Sequence, residues 1–283
     1  MVPAVPGTVD YAQDGAVATL TLARPERLNT ITPELAADVQ AELARANADA
    51  SVRVVRLRGA GRVFCAGYDI DWGARMMEEA ESGRPWDPMA DLRNMSRFVF
   101  DTYMALWRSP KPVIAQVHGF CVGGGTDFAL CSDLIVCAED CRIGYPPARV
   151  WGSPTTAMWT YRLGLERSKR LLLTGDPLDG RTAVEWGLAS ECHPEAELDD
   201  KAMALCRRVA LLPSNQLHMM KVLVNQTIEQ MGLNTTQLIG TLLDGAARHT
   251  PEGAAFSQAA LRDVRAAVRD RDAPFGDYGQ EPR

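Results

Sequence analysis

Residues 111–134 read KPVIAQVHGFCVGGGTDFALCSDL, and this stretch decides the fold that the sequence predicts. An apolar run, Val113–Val117, predicts a buried strand that ends at His118. The glycines at 123–125 then open an apolar helix, and residues 134–137 predict another buried strand. A strand, a helix and a strand in this order are typical of a parallel sheet with crossover connections.

The amino-terminal half shows the same alternation. Residues 16–22 (AVATLTL) alternate as a strand does. Thr32 is suited to cap a helix, and Pro33 is suited to its first position. Residues 52–57 (VRVVRL) predict a second strand, and a glycine turn leads from it into the apolar run 63–67. This half of the chain therefore continues the α/β pattern.

Strands give way to helices beyond Glu191. Four later segments have helical patterns: 198–212, 214–231, 234–248 and 251–271. We therefore predict two parts, an α/β body at residues 1–200 that carries the site and a helical carboxyl-terminal region at residues 201–283.

Composition and charge indicate an ordinary globular protein. Of 283 residues, 46% are hydrophobic and 23% are charged, which allows a large core. The net charge of −6 argues against nucleic-acid binding, since proteins of that class usually have a basic surplus. No apolar run reaches about 18 residues, and the first residues lack the features of a secretory signal. We therefore expect neither a membrane nor a nucleic acid as a partner.

The seven cysteines lie in apolar segments without a CxxC pair. This pattern predicts buried, reduced thiols and gives no reason to expect a metal. Reduced thiols in turn predict a cytoplasmic protein.

Two turns place small residues where the chain leaves a strand and enters a helix. The first is FCAGYDI at 64–70, and the second is HGFCVGGGTD at 118–127. Backbone N–H groups at such turns are unpaired, and the helix dipole adds partial positive charge. Two turns that face one another bring two N–H donors onto one oxygen, which is an oxyanion hole. Close helix–strand packing is an alternative explanation for the glycines, whereas GGGTD does not fit the GxGxxG turn of dinucleotide-binding proteins.

Five ordered blocks of the sequence resemble the crotonase family, also called the enoyl-CoA hydratase/isomerase family. The blocks are ARPERLN (23–29), FCAGYDI (64–70), KPVIAQVHGFCVGGGTDFALCSDL (111–134), LLLTGDPLDGRTAVEWGLA (171–189) and the segment 248–265. The resemblance implies an α/β fold, the crotonase (ClpP-like) spiral of ββα turns, with carboxyl-terminal helices that build a homotrimer or a dimer of trimers. It also implies an acyl-CoA thioester as the substrate, with coenzyme A as part of that substrate and no tightly bound cofactor.

The resemblance also assigns the site. The family's oxyanion hole maps onto the backbone amides of Ala66 and Gly124. The residues expected to bind coenzyme A, beneath a basic or aromatic group of the carboxyl-terminal helices, are Arg24, Arg27, Leu28, Ala66, Gly67, Tyr68, Asp69, Ile70 and Gly124. The residues themselves agree, because Arg24, Arg27 and Arg62 form a basic group that suits the phosphates of coenzyme A.

The sequence departs from the family at the acid–base groups. Family hydratases hold one water between two glutamates. The first position holds Asp127, which reaches about 1 Å less far than glutamate; an acid at this end of a helix is also favoured by the dipole alone. The second position falls on Pro147, and no acid lies between Asp140 and Glu166. Because proline transfers no proton, one of the two carboxylates is missing.

Other polar residues near Pro147 offer alternatives. Tyr145 can donate a hydrogen bond or pack in the core. Arg149 can face an acidic substrate group or pair with a carboxylate such as Asp127. Three acids after the first turn are further candidates for a second catalytic group: Asp71, Glu78 and Asp87.

The sequence therefore predicts an enzyme that stabilises the enolate of an acyl-CoA thioester. The family default is enoyl-CoA hydratase, a lyase of fatty-acid metabolism that adds water to a 2-enoyl-CoA. Isomerisation of an enoyl- or dienoyl-CoA and hydrolysis of an acyl-CoA are alternatives that use the single retained carboxylate. A catalytically inactive scaffold that binds acyl-CoA is the competing interpretation, because the second acid is missing.

Overall fold

The computed structural model describes residues 7–73 and 86–278, and within these ranges eight strands form two sheets. The strands are β1 (Val9–Asp14), β2 (Val17–Leu22), β3 (Val54–Gly59), β4 (Val113–Val117), β5 (Phe120–Val122), β6 (Leu134–Ala138), β7 (Arg142–Gly144) and β8 (Glu191–His193). The larger sheet has the order β1-β2-β3-β4-β6-β8, in which β1 and β2 are antiparallel and the other pairs are parallel. β5 and β7 form a second, parallel pair.

Helices cover the sheets and make up the carboxyl-terminal region. They are α1 (Pro33–Ala48), α2 (Pro88–Phe98), α3 (Met104–Arg108), α4 (Gly124–Leu130), α5 (Met158–Thr174), α6 (Gly180–Glu185), α7 (Glu195–Val209), α8 (Ser214–Gln230), α9 (Leu233–Arg248), α10 (Pro251–Arg262) and α11 (Val264–Asp272). The strands β2, β3, β4 and β6 are buried over most of their length, which explains their nearly continuous apolar sequences.

The structure confirms the main predicted elements. The strands predicted at 16–22, 52–57, 113–117 and 134–137 correspond to β2, β3, β4 and β6. Thr32 caps α1, since its hydroxyl oxygen accepts the Leu35 N–H at 3.4 Å, and Pro33 is the first helical residue. The sequence pattern does not predict β1, β5, β7 or β8. Three of these, β5, β7 and β8, have three residues each, too few to show the period of a strand.

The carboxyl-terminal helices differ from the prediction in two places. The predicted helix 251–271 is two helices, because Asp263 is extended (φ −158°, ψ 101°) and ends α10. The Asp263 carboxylate accepts the Ala266 N–H at 3.0 Å and so caps α11. The boundary predicted near residue 200 falls inside α7, which packs against β3, β4, β6 and β8 of the α/β body.

The thiols agree with the sequence prediction. All seven cysteines are free, and six are buried. Burial raises the pKa of the Cys65 thiol to about 12, so this group stays neutral. Within the described ranges, no helix combines the length and apolar surface that spanning a bilayer requires.

Candidate active site

The first glycine turn is held in place by the loop before α1. Leu28 and Asn29 both have left-handed backbone conformations (φ 54° and 53°), which are uncommon for residues other than glycine. The buried Asn29 side chain compensates, because its nitrogen donates to three carbonyls of segment 60–64 at 2.9, 2.9 and 3.2 Å. Its oxygen accepts the Arg24 N–H at 3.0 Å. Asn29 therefore fixes the loop against the chain that enters the first turn.

The Ala66 N–H is not available to a substrate oxygen. It donates to the Leu28 carbonyl at 3.0 Å, whereas the preceding Cys65 N–H donates in the opposite direction, to the Phe120 carbonyl of β5, also at 3.0 Å. Successive N–H groups of an extended chain point to opposite sides. The prediction that Ala66 supplies an oxyanion donor is therefore wrong, because its N–H belongs to the contact with Leu28.

The unpaired amide of this turn belongs to Tyr68. Ile31 donates to the Gly67 carbonyl at 2.8 Å and accepts the Asp69 N–H at 3.0 Å, which is a parallel bridge between Ile31 and Tyr68. In such a bridge the central residue directs its own N–H away from its partner. Accordingly, the Tyr68 N–H has no acceptor in the part of the chain that the structure describes.

The second turn brings another unpaired amide to the same place. Gly124 is the first residue of α4, so its N–H has no partner within the helix. A Cβ atom added to Gly67 (φ 91°) would lie 3.4 Å from the Gly124 nitrogen. A Cβ atom added to Gly124 would lie 2.6 Å from Cε2 of Tyr68. The two turns therefore meet as the sequence predicts, with Tyr68 in place of Ala66.

Close packing also explains one glycine of the triplet. A Cβ atom on Gly125 would lie 2.4 Å from the Cys65 carbonyl oxygen, so this position tolerates no side chain. The packing explanation thus applies to Gly125 and also to Gly124, whose Cβ atom would meet the Tyr68 ring, whereas the unpaired N–H belongs to Gly124.

Asp127 lies one turn further along α4 and is 1% exposed. The Thr156 hydroxyl donates to its carboxylate at 2.5 Å. Burial raises the pKa of Asp127 to about 7; the hydrogen bond from Thr156 opposes this rise, and the Asp244 carboxylate adds to it. A carboxyl group with this pKa can both accept and donate a proton near neutral pH.

Pro147 lies at the site, as the alignment with the family predicts. Its Cγ is 3.6 Å from the position of a Cβ atom on Gly123, beside the two amides. It belongs to the 3-10 turn Pro146–Arg149. The second carboxylate of the family's hydratases is therefore absent at this position.

A carboxylate that sequence reasoning missed comes from α9. Asp244 is buried and accepts the Ser153 N–H at 3.3 Å. Arg248, one turn later, pairs with Asp244 and also with Asp91 of α2 at 2.6 Å. The spacing Asp244–Arg248 on a helix is common on exposed faces, so the pattern alone does not reveal a buried ion pair.

In the structure, the side chains of Tyr145 and Arg149 both bind other groups of the protein. The Tyr145 hydroxyl donates to the Ser153 carbonyl at 2.8 Å. The Arg149 side chain, 1% exposed, pairs with Asp272 at 3.1 Å and with Asp277 at 2.6 Å. Pairing of Arg149 with a carboxylate is confirmed, but the suggested partner Asp127 is wrong.

The segments predicted to bind coenzyme A lie side by side. Arg24 and Arg27 both reach the Asp69 carboxylate, at 3.4 and 3.3 Å. Arg62 is exposed, and Ile70 packs against a small cluster formed by α10 and α11. The carboxyl-terminal helices therefore contact the first turn at Ile70.

Two of the three candidate loop acids have partners within the protein. Asp71 pairs with Arg27, and Asp87 caps α2 by accepting the N–H groups of Met89 and Ala90. Glu78 lies outside the described residues.

Comparison with known proteins decides the family. The profile described as enoyl-CoA hydratase/isomerase matches residues 12–244. The chain belongs to this family. A crystal structure of an enoyl-CoA hydratase from Mycobacterium smegmatis is similar over 96% of this chain and 95% of that chain, with 43% identity and a TM-score of 0.91. The predicted crotonase fold is therefore confirmed.

Two relatives in this family have different reactions in their names. The 1,2-epoxyphenylacetyl-CoA isomerase of Escherichia coli is 32% identical over 219 residues, which are 74% of this chain and 78% of that protein. The (E)-benzylidenesuccinyl-CoA hydratase of Thauera aromatica is 30% identical over 198 residues, which are 69% of this chain and 73% of that protein. Relatives of this chain thus act on CoA thioesters, and membership of the family does not fix the reaction.

The buried carboxyl of Asp127 predicts a pH-dependent loss of stability. Its pKa is about 7 in the folded protein and about 3.9 in the unfolded chain, so folding favours the protonated form. Stability is therefore lost as pH rises from about 4 to about 7, and the loss is constant above that range. We expect Asp127→Asn, which cannot ionise, to exceed the wild type in free energy of unfolding by about 2–4 kcal/mol at pH 8.

Urea unfolding between pH 4 and pH 8 measures this difference. The exposed Asp200→Asn is the matched control and should differ little from the wild type at every pH. An Asp127→Asn variant that is less stable than the wild type at pH 8 contradicts the conclusion that burial destabilises the ionised carboxylate.

Proposed function

We propose that this protein is an acyl-CoA enzyme that binds the thioester oxygen between the N–H groups of Tyr68 and Gly124. The observation that supports this most is the close approach of the two turns that carry these unpaired amides, with a buried carboxyl, Asp127, on the same helix as Gly124. Hydrogen bonds from both amides stabilise the negative charge that develops on the oxygen when an enolate forms. The proposed default reaction is addition of water to a 2-enoyl-CoA.

One carboxyl group is sufficient for that reaction. The water oxygen forms a bond to the β-carbon while the water gives a proton to Asp127. The electrons of the double bond move toward the thioester oxygen, which the two amides hold. Asp127 then returns the proton to the α-carbon, so that one H and one OH have been added. A pKa of about 7 suits both transfers near neutral pH.

Isomerisation is the second candidate, because it needs the same groups without water. Asp127 removes a proton from one carbon of the enoyl chain and returns it to another through the same enolate. The relative from Escherichia coli is an isomerase by name, which supports this alternative. Hydrolysis of an acyl-CoA is also compatible with a single carboxylate, whereas the scaffold hypothesis predicts binding without turnover.

The proposed coenzyme A site runs along residues 24–28 and 66–70. Arg27 is about half exposed and Arg24 is partly exposed, so both remain accessible to phosphate groups. Asp69 orders these two guanidinium groups, but it also offsets part of their charge.

We also propose that the protein forms a homotrimer or a dimer of trimers through its carboxyl-terminal helices. α8 and α9 expose large apolar side chains that a monomer would leave in water: Met219, Met220, Val222, Leu223, Val224, Leu238, Ile239 and Leu243. Large apolar side chains exposed in this number on two neighbouring helices are typical of a subunit interface.

The catalytic proposal predicts the effect of Asp127→Asn. Asparagine keeps the hydrogen bond from Thr156 but transfers no proton, so turnover should fall at least tenfold while binding persists. The assay uses a panel of enoyl-, dienoyl- and β-ketoacyl-CoA thioesters, with calorimetry for binding and Asp200→Asn as the control. Binding without turnover by the wild type would support the scaffold instead.

The assembly proposal predicts a smaller particle for Leu223→Asp. A buried aspartate without a partner destabilises an interface by several kcal/mol, so the trimer should dissociate. Light scattering coupled to size-exclusion chromatography measures the mass. Leu165→Asp, on the exposed side of α5, is the control and should keep the wild-type mass; a monomeric wild type contradicts the proposal.

A further inference from the structure

The Tyr68 side chain lies directly on the oxyanion site. Its ring occupies the space beside Gly124 that a Cβ atom would need, with Cε2 2.6 Å from that position. The ring also contacts Phe98 edge-on, with centroids 5.4 Å apart. The residue that offers its backbone N–H to the proposed thioester oxygen therefore also places its phenol ring beside Gly124, the residue that supplies the second amide.

The Tyr68 hydroxyl has a proton to donate. The Tyr103 hydroxyl donates to the Tyr68 oxygen at 2.9 Å, so the pair uses the Tyr103 proton and leaves the Tyr68 proton free. No acceptor for that proton occurs among residues 7–73 and 86–278. Because a hydroxyl has one proton and two lone pairs, the Tyr68 oxygen can accept from Tyr103 and still donate to a ligand.

The surroundings keep this hydroxyl protonated. Burial raises the pKa of Tyr68 well above its usual value of 10, and the negative charge of Asp127 adds to the rise. Because it accepts a hydrogen bond from Tyr103, the phenol is also a stronger donor. Tyr68 is therefore a hydrogen-bond donor at every working pH and not a base.

Asp127 and Tyr68 can bind the same water molecule, one as hydrogen-bond acceptor and the other as donor. The Tyr68 ring lies against Gly124, which begins α4, and the Tyr103 ring lies edge-on to Phe128, the residue after Asp127, with centroids 5.0 Å apart. Both phenols therefore pack against the helix that carries Asp127. A water molecule or hydroxyl group donates through its hydrogens and accepts through its oxygen. Asp127 can accept from such an oxygen and Tyr68 can donate to it, whereas Pro147 offers neither.

We propose that the Tyr68 hydroxyl donates a hydrogen bond to the oxygen that adds to the β-carbon of the acyl chain. The inference rests on the proposed function and deepens it. Bond changes are those given above: water forms the C–O bond, its proton passes to Asp127 and then to the α-carbon, and Tyr68 keeps its own proton. The phenol orients the water molecule as it adds to the β-carbon, and in the reverse reaction it stabilises the hydroxyl group as it leaves.

Tyr68→Phe separates this role from a packing role. Phenylalanine keeps the ring against Gly124 and removes only the hydroxyl. We expect hydration of 2-butenoyl-CoA to fall 10- to 100-fold in kcat. Exchange of the α-protons of butanoyl-CoA in deuterated water, which uses Asp127 and the two amides but no oxygen at the β-carbon, should change less than threefold.

Two further variants complete the comparison. Tyr103→Phe removes the donor to Tyr68 and should lower hydration by a smaller factor, about two- to tenfold. Tyr161→Phe removes a hydroxyl bound to Thr236, away from the site, and should leave both reactions unchanged. Thermal unfolding of each variant checks that the fold is intact.

The remaining outcomes distinguish the two proposals. Equal loss of hydration and exchange in Tyr68→Phe shows that the residue only positions the backbone, and unchanged hydration shows that the hydroxyl has no role; either result overturns this inference. A wild type that exchanges α-protons but does not hydrate also overturns it, while the proposed enolate chemistry stands. A wild type without either reaction overturns the proposed function itself.

Discussion

The direction of successive backbone N–H groups between residues 65 and 69 is the constraint on which the site depends. Cys65 is bonded to β5 on one side, Ala66 to the loop before α1 on the other, and Asp69 to Ile31. Ala66 and Asp69 both donate to the loop that contains Leu28 and Ile31, because Gly67 (φ 91°) interrupts the alternation of the extended chain between them. As a result, the Tyr68 N–H has no acceptor within residues 7–73 and 86–278, and it lies where α4 begins.

This constraint explains how much of the site the sequence predicts. Glycine-rich turns next to strands are visible in a single sequence, and the structure does bring them together. The identity of the free amide is not visible, because it depends on which side Leu28 and Phe120 approach. Those partners are distant in sequence, and the left-handed conformation of Leu28 that directs its carbonyl is set by the buried Asn29.

The fold, like the site, is predictable where the sequence pattern is local and not where it depends on distant partners. Long apolar runs such as β4 are predictable because burial on both faces leaves a clear pattern. The three-residue strands are not predictable because they depend on tertiary pairing. The break at Asp263 is not predictable because it depends on one capping side chain. Asp244 was missed for a related reason, since helical periodicity does not say which face of α9 meets the loop at residue 153.

Stability and function oppose each other in this interior. Asp127, Asp244 and several phenols are buried together, and Arg248 compensates only part of the charge. Burial of ionisable groups lowers stability unless they are paired, so such an arrangement is typical of a site retained for chemistry. The family relationship supports the same conclusion independently of these energies.

A crystal structure with an acyl-CoA thioester bound tests the central claim most directly. The thioester oxygen should lie within about 3.2 Å of the backbone nitrogens of both Tyr68 and Gly124, with the Ala66 N–H still bonded to Leu28. An oxygen held by Ala66 after release of Leu28, or one that neither amide approaches, would contradict the account.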